Sequence, residues 1–186
     1  MTAKIIDMNS NGRFMDPFKI VQLFGLQEGY KFADFGSGTG AFVLAAAPLV
    51  GNTGTVLAID IQKDALLKLK DTVIQNEYPN TKFLWCDFEN LGATQLPDES
   101  IDVALISNTL FQLDDRAGAL REAYRVMKDS GNLYIIDWTD SFKGMGPDKD
   151  LIIVSDQASR IAQDAGFKLV NSFTPGEHHY GLHFKK

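Results

Sequence analysis

The feature that most constrains this fold is an alternation between short apolar segments and longer helix-like ones. Five segments have the length and composition of buried strands: Gly29–Phe35, Thr55–Ile59, Lys82–Cys86, Ile101–Ile106 and Asn132–Ile136. Helical patterns lie between or after most of them, at Ala41–Val50, Lys63–Tyr78, about 114–128 and Leu151–Ala165. This alternation is typical of a parallel sheet with helices on both faces.

The last two predicted strands break this rhythm. Phe167–Ser172 and His178–Phe184 are joined only by a short turn around Thr174-Pro-Gly176, so they must pair as an antiparallel hairpin. We therefore predict a doubly wound, Rossmann-like α/β fold with a mostly parallel, seven-stranded sheet and an antiparallel C-terminal hairpin strand. A chain of 186 residues fits one domain, with residues 1–28 as an N-terminal helical segment and 29–186 as the core.

Three glycines at alternate positions follow the first predicted strand. In Asp34-Phe-Gly36-Ser-Gly38-Thr-Gly40 they allow the backbone to turn sharply and to approach a ligand closely. The spacing is G-x-G-x-G and not the G-x-G-x-x-G of a dinucleotide site. A tight turn alone needs one glycine, so the loop predicts a ligand site.

Polar residues or glycines end all five predicted parallel strands. Ligands of doubly wound sheets bind outside the carboxyl ends of the strands, where these five residues would meet: Gly36, Asp60, Asp87, Asn108 and Asp137. Asp60 lies some twenty residues beyond the glycines, where an acid can accept hydrogen bonds from both hydroxyls of a ribose. Asp60 could also simply cap the following helix, but the glycine loop upstream favours the ribose.

Taken together, these segments resemble the class I S-adenosylmethionine-dependent methyltransferases from about Tyr30 to the end of the chain. The glycine loop is similar to the first motif of that family, and Val56–Ile61 to the second-strand acid. Trp85–Phe88 resembles the adenine-contacting segment, and Asp102–Gln112 the fourth-strand motif. Ala123–Leu133 resembles the turn before the fifth strand, with Asp129 and Ser130 in place of the usual Pro-Gly.

The resemblance implies S-adenosyl-L-methionine as the cofactor and a role for each matching residue. The glycines would lie against its methionine part and Asp34 would reach toward its amino group, directly or through water. Asp60 would hold the ribose, Ile61 would cover one adenine face, and Asp87 would accept from the adenine amino group. Asn108 would border the methionine tail. The implied cofactor-binding residues are Asp34, Gly36, Ser37, Gly38, Gly40, Asp60, Ile61, Asp87, Phe88 and Asn108.

Candidates for a proton acceptor come from the hairpin. The final strand is antiparallel, so its first residues would lie at the edge that holds the carboxyl ends of the other strands. This puts His178 and His179 at the mouth of the site, and histidine titrates near neutrality. Alternation sends the two rings to opposite faces, so at most one of them can face the pocket. Both could equally be polar residues at the start of a hairpin.

A lid over the pocket is a further prediction. It would combine the N-terminal segment, where Asp16 and Pro17 are typical of a helix start, with the Gly/Pro-rich loop 139–149. The aromatic and apolar residues of these segments and of the fourth-strand motif would favour a small, partly hydrophobic acceptor: Phe14, Phe18, Phe111, Phe142 and Met145. The absence of an inserted domain makes the chain most similar to small-molecule enzymes such as the quinone-biosynthesis C-methyltransferases.

Composition restricts the possible partners. A net charge of −6 with scattered basic residues does not favour nucleic acid, whose binding needs a basic patch. No apolar run is long enough to span a membrane and no signal peptide is apparent, so we expect a cytoplasmic protein. The single cysteine, Cys86, permits no internal disulfide and no cysteine-based metal site, and no metal is expected.

Two other functions remain open at the level of sequence. A nicotinamide-dependent oxidoreductase would use Asp60 for its ribose equally well, although the glycine spacing and Asp87 argue against it. A non-catalytic module that only binds S-adenosylmethionine would carry the same glycines and acids. The identity of the acceptor, the atom that is methylated and the oligomeric state are not encoded in any motif of this sequence.

Overall fold

A computed structural model describes residues 6–7, 15–142, 144 and 146–186 of the chain. Its eight strands are β1 (Ile6–Asp7), β2 (Lys31–Phe35), β3 (Thr55–Asp60), β4 (Thr81–Trp85), β5 (Ile101–Ser107), β6 (Met127–Trp138), β7 (Lys168–Gly176) and β8 (His179–Lys185). The helices are α1 (Pro17–Ile20), α2 (Ala41–Val50), α3 (Lys63–Gln75), α4 (Arg116–Val126) and α5 (Ser155–Asp164). Short 3₁₀ turns cover Val21–Phe24, Leu110–Gln112 and Lys149–Leu151.

All strands form one sheet in the order β1-β7-β8-β6-β5-β2-β3-β4. The β2–β3, β3–β4, β2–β5 and β5–β6 pairs are parallel, whereas β8 runs antiparallel to both β6 and β7. The predicted doubly wound, seven-stranded sheet with its antiparallel hairpin strand is confirmed. A two-residue strand, β1, adds to its edge by pairing in parallel with Phe173 and Thr174.

Alternation along the strands divides the core into two layers. Ala33 and Phe35 of β2 contribute to the cluster under α4 and α5, whereas Phe32 contributes to the cluster under α1, α2 and α3. The same period of two puts Asp34 on the α2 and α3 side. Asp34 is thereby buried just below the glycine loop.

The N-terminal helix begins as its sequence predicts. Asp16 caps α1 through the amides of Phe18 and Lys19, and Pro17 occupies the first helical position. Behind α1, Phe24 stacks on Tyr134 with ring centroids 4.2 Å apart, and the Tyr134 hydroxyl donates to the Leu23 carbonyl. These contacts fix the segment over the α2 face of the sheet.

Two turns differ from the prediction. The hairpin turn predicted around Thr174-Pro-Gly176 lies within β7, and the chain turns instead at Glu177 and His178. The turn residues Asp129–Gly131 were expected to precede a strand that starts at Asn132, but β6 already begins at Met127. Its pairing with β5 jumps from Ile101–Met127 to Val103–Asn132, so the turn bulges out within a continuous strand. The turn chemistry is therefore real, whereas the strand boundary inferred from it is wrong.

No helix among the described residues combines the length and apolar character that crossing a bilayer demands.

Candidate active site

A cleft of about 450 Å³ lies over the carboxyl ends of β2, β3 and β5. Eight of the ten predicted cofactor-binding residues line it together: Asp34, Gly36, Ser37, Gly38, Asp60, Ile61, Phe88 and Asn108. Strand register explains the gathering, because Phe35 pairs with both Ile59 and Ile106 and the three strands end side by side. The two predicted residues that do not line the cleft are Gly40 and Asp87.

The three glycines of the loop share a backbone conformation but differ in their surroundings. All three have positive φ, at +80° for Gly36, +50° for Gly38 and +80° for Gly40. A Cβ on Gly36 would lie 2.3 Å from the Thr109 hydroxyl, and one on Gly40 would lie 2.1 Å from Leu69. A Cβ on Gly38 would meet nothing within 4 Å. Gly36 and Gly40 therefore allow close packing, while Gly38 faces open space in the cleft.

Asp60 joins the first two loops of the site. Its Oδ2 accepts a hydrogen bond from the Gly38 amide and its Oδ1 accepts one from the Gln62 amide, each with a donor–acceptor distance of 2.8 Å. The carboxylate is 6% exposed and lines the cleft. Each carboxylate oxygen has a second lone pair, so Asp60 can still accept hydrogen bonds from a ligand.

Asp34 lies beside Asp60 at the floor of the cleft. It is 2% exposed, and burial, followed by the charge of Asp60, raises its pKa to about 8. A buried acid of this kind ionises readily only when a cation comes close. The floor of the cleft is therefore suited to an ammonium or sulfonium group.

Two further polar atoms in the cleft have no partner among the residues that the structure describes. The Ser37 hydroxyl and Asn108 Oδ1 are buried and make no hydrogen bond there. Asn108 also holds a left-handed conformation at φ +54°, which is unusual for a residue other than glycine. Unpaired buried polar atoms and an open glycine are what a polar, adenosine-like cofactor with an amino acid tail would fit.

Two of the three residues expected around an adenine, Ile61 and Phe88, line the cleft. Ile61 is 59% exposed on the rim, and the Trp85 indole nitrogen donates to its carbonyl over 2.9 Å. Phe88 is buried edge-on against Phe35. Asp87 instead engages its own loop, accepting from the Glu89 amide and the Asn90 side chain. Its adenine contact thus stays a prediction.

The two histidines lie at the expected edge but outside the lining of the cleft. His178 is in the two-residue turn between β7 and β8, where its Nδ1 lies 2.7 Å from Asp140 and its ring stacks on Phe142. His179 is buried against Trp138, and burial lowers its pKa to about 4. His178 lies before β8, so the predicted strand alternation does not extend to it, although the two rings do have different neighbours. Their catalytic role is untested.

Other predicted residues fall partly outside the described structure. Phe14 and Met145, which belong to the predicted lid, are not among the described residues. Phe18 is 59% exposed, and Met15 and Pro17 line the cleft. Within the described part of the chain, no group of three His, Cys, Asp or Glu residues could hold a metal ion.

Several lining residues were not singled out from the sequence. Gln62, Glu89 and Thr109 each directly follow a predicted site residue, and Gln112 and Leu113 belong to the next turn. The one feature of the sequence that could have indicated them is their position just after the ends of the strands. A sequence pattern could not tell which of these loop residues turn into the cleft, because that depends on how the loops pack.

Comparison with known proteins places these features in a family. A family model described as "Methyltransferase domain" matches residues 26–172. The solved structure of a SAM-dependent methyltransferase from Aquifex aeolicus is similar with a TM-score of 0.84 and 27% identity, over 92% of this chain and 90% of that one.

Two curated relatives match part of the chain. An arsenite methyltransferase of Aquipseudomonas alcaligenes is 34% identical over 117 residues, which are 60% of this chain and 34% of that protein. The ubiquinone/menaquinone biosynthesis C-methyltransferase UbiE of Azotobacter vinelandii is 32% identical over 121 residues, 64% of this chain and 46% of that protein. The chain thus spans less than half the length of these relatives.

Proposed function

Because this chain belongs to the class I S-adenosylmethionine-dependent methyltransferases, we propose that it transfers the methyl group of that cofactor to a small, partly hydrophobic acceptor. The observation that carries this proposal is the cleft floor, where Asp60 is bonded to Gly38 and Asp34 lies behind them. S-adenosylmethionine supplies an activated methyl group when bound. The protein then has chiefly to bind, orient and exclude water, and orientation alone can supply much of the rate.

Specific residues would hold the cofactor. Asp60 would accept from the ribose hydroxyls while it keeps its bonds to Gly38 and Gln62. Asp34 would face the methionine amino group, whose charge would draw the proton off the buried acid. Ser37 and Asn108 would give their unpaired buried atoms to the same tail. Ile61 and Phe88 would flank the adenine. Asp87 would accept a hydrogen bond from the adenine amino group once the Asp87 carboxylate is released from Glu89 and Asn90 of its own loop.

Charge in the cleft supports an acceptor without negative charge. The described residues that line the cleft include the carboxylates of Asp34, Asp60 and Glu89 and no lysine or arginine. An acceptor with a carboxylate or phosphate would have no cation to pair with there and would lie near like charges. Quinols and phenols meet this condition, and the name of one relative, UbiE, refers to ubiquinone and menaquinone biosynthesis.

Arsenite is the second acceptor suggested by a relative's name. The sequence has one cysteine, Cys86, which packs at the edge of the core. Burial raises the pKa of its thiol to about 11, so the thiol stays protonated at neutral pH and is a poor ligand for arsenic. This supports a carbon or oxygen acceptor over arsenite.

For an acceptor that must lose a proton, we propose His178 as the proton acceptor in preference to His179. The Asp140 carboxylate at Nδ1 would fix the tautomer and orientation of the His178 ring, as in other acid–base pairs. Both ring nitrogens of His179 are buried and make no hydrogen bond to any described residue. His179 therefore fits a packing role against Trp138.

Binding and turnover test the proposal separately. S-adenosylhomocysteine should raise the melting temperature and bind by calorimetry, whereas NAD should do neither. Incubation with methyl-labelled S-adenosylmethionine and a panel of quinols, phenols, arsenite and carboxylated analogues should label an uncharged acceptor. Stabilisation by NAD alone would favour the oxidoreductase, and binding without turnover of any acceptor would favour a non-catalytic module.

With an acceptor in hand, His178→Gln should lower kcat by about 10²-fold. His179→Gln is the paired control, for which we expect no comparable loss of kcat. A wild-type kcat in His178→Gln would eliminate the proposed proton acceptor. We further propose a cytoplasmic location, supported by the use of a single, unpaired cysteine.

A further inference from the structure

Asp137 is a buried carboxylate that the proposed function does not use. It lies near the end of β6, is 1% exposed and does not line the cleft. The residue before it, Ile136, accepts a hydrogen bond from the amide of Asn108 over 2.8 Å. Asp137 is therefore one residue away from the strand contact that begins the wall of the cleft.

The carboxylate of Asp137 faces the start of the turn Leu110–Gln112. Its Oδ1 accepts from the Trp138 amide over 2.8 Å. Burial raises its pKa to about 6, and the amides of Trp138, Phe111 and Leu110 hold that pKa below what burial alone would give. Its Oδ2 makes no hydrogen bond to any described residue, so the carboxylate acts on the amides of Leu110 and Phe111 through its charge. Thr109, the residue before the turn, offers no side-chain cap.

Charged and titratable groups face Asp137 from two other elements. From α4, the positive charge of Arg116 lowers the pKa of Asp137. From β8, Tyr180 pairs in register with Asp137, and burial together with the Asp137 charge raises the phenol pKa. Tyr180 thus stays neutral, and Arg116 is the cation among these groups.

Arg116 binds the other polar side of the same turn. Its Nε donates to the Leu110 carbonyl over 2.9 Å, and its second guanidinium nitrogen donates to the Phe111 carbonyl over 3.3 Å. The carboxylate of Asp137 faces the amides of these two residues while Arg116 takes their carbonyls. The peptide group between Leu110 and Phe111, which supplies the Leu110 carbonyl and the Phe111 amide, is therefore held between a cation and an anion.

The turn held in this way forms one wall of the cleft. Asn108, Thr109, Gln112 and Leu113 all line it. The Gln112 side chain donates to the Asn108 carbonyl over 2.9 Å, and the Thr109 side chain fills the space beside Gly36. A shift of the turn would move the wall against the glycine loop.

We propose that Asp137 is a positioning residue, whose ionised carboxylate, with Arg116, holds the turn Leu110–Gln112 and so keeps the cleft wall Asn108–Leu113 in the shape that binds the cofactor. The proposal rests on the proposed function in one respect, that the cleft binds S-adenosylmethionine. Burying a charged carboxylate lowers the stability of the fold, so the proposal predicts that Asp137 improves cofactor binding at the expense of stability.

The variant Asp137→Asn separates the two effects. Asparagine keeps an acceptor for the Trp138 amide and removes the buried charge. We expect its melting temperature at pH 7.5 to equal or exceed that of the wild type, while its Kd for S-adenosylhomocysteine rises at least fivefold. Asp129→Asn, an exposed acid on the same strand, is the control and should change neither. A general loss of structure would lower both the melting temperature and the affinity together.

The pH dependence of binding gives a second readout. Wild-type affinity should weaken as the pH falls through about 6, where Asp137 takes up a proton, and Asp137→Asn should lack this step. The separate change in affinity near pH 8, which comes from the titration of Asp34, should remain in Asp137→Asn. Wild-type affinity in Asp137→Asn at pH 7.5, or survival of the step near pH 6, would overturn the proposal.

A measurement on the wild-type protein covers a variant that fails to fold. Hydrogen-exchange protection factors of the Leu110 and Phe111 amides should fall as the pH drops below about 6, whereas those of the buried β5 amides should not. Constant protection at Leu110 and Phe111 would also overturn the proposal. This outcome does not depend on ligand, so it is distinguishable from a wild-type protein that binds no S-adenosylhomocysteine, which would refute the proposed function instead.

Discussion

The amide of Gly38 and the carboxylate of Asp60 are joined by a 2.8 Å hydrogen bond that ties the loop after β2 to the end of β3. The bond forms within the protein chain alone, so the glycine loop already has its shape before a cofactor arrives. A preformed loop avoids an ordering cost on binding.

Asp60→Ala should weaken binding of S-adenosylhomocysteine at least tenfold. The substitution removes the proposed ribose acceptor and leaves the amides of Gly38 and Gln62 without their partner. Isothermal titration calorimetry measures the change, with Asp64→Ala on the exposed first turn of α3 as the control. A dissociation constant that matches the wild type would remove Asp60 from the site.

Gly38→Ala tests whether ligand occupies the open space in front of the loop. Gly38 and Gly25 both have positive φ, and a Cβ on either would meet nothing within 4 Å, so each alanine variant should cost about 1–2 kcal/mol of backbone strain. We expect only Gly38→Ala to lose cofactor affinity, by about tenfold or more. Denaturant titration checks the matched stabilities and calorimetry the affinities, and equal affinities would argue against a ligand at Gly38.

Cofactor binding should release a proton from Asp34. The free protein holds this acid protonated below its pKa of about 8, because burial and Asp60 disfavour the charge. A bound ammonium group reverses that preference, so binding at pH 7 should release up to one proton. Calorimetry in phosphate and Tris buffers detects the release as a difference in enthalpy, which Asp34→Asn should abolish. Identical enthalpies for the wild type in both buffers would contradict this assignment.

Glu122 should be the most sensitive acid for stability. It is fully buried in α4 and accepts from the Gly92 amide, the Thr94 amide and hydroxyl, and Arg125. Glu122→Ala leaves the Gly92 and Thr94 donors without their buried acceptor and Arg125 with Asp98 as its remaining carboxylate, so the free energy of unfolding should fall by about 3 kcal/mol. Asp71→Ala, an exposed acid on α3, should cost far less, and urea titration gives both values.

The Glu122 contribution should also disappear in acid. Burial raises the pKa of this carboxyl, but the bonds from Arg125, Thr94 and Gly92 outweigh it and bring the pKa down to about 2, from 4.5 in the unfolded chain. Stabilisation is therefore complete above pH 4.5 and is lost as the pH falls toward 2. A stability gap between wild type and Glu122→Gln that stays constant from about pH 7 to about pH 2.5 would contradict the shift.

The fold and the cleft floor were predictable because each rests on short-range patterns. Strand length, apolar composition and the glycine spacing are local, and parallel strand ends such as Phe35 and Ile59 meet whatever the loops do. Side-chain direction in the loops was not predictable. Asp87 binds its own loop and Glu122 holds the segment after β4, and both arrangements depend on packing that no local pattern describes.

The histidines illustrate the same division. The antiparallel strand correctly brought His178 and His179 to the carboxyl edge, since register alone decides that. The stacking of His178 on Phe142 depends on the loop after β6, whose course no periodicity describes, whereas His179 meets Trp138 through strand register. The position of Asp137 beside the turn at Leu110 was likewise not predictable, because the two meet only through the pairing of β5 with β6.

Ile61 stands on the cleft rim with more than half of its side chain in water, although it is among the larger apolar residues of the chain. A flat aromatic base laid over it would release the hydration shell of both surfaces. Cofactor capture should therefore have a negative heat-capacity change, and its affinity should respond to salting-out ions as apolar contacts do.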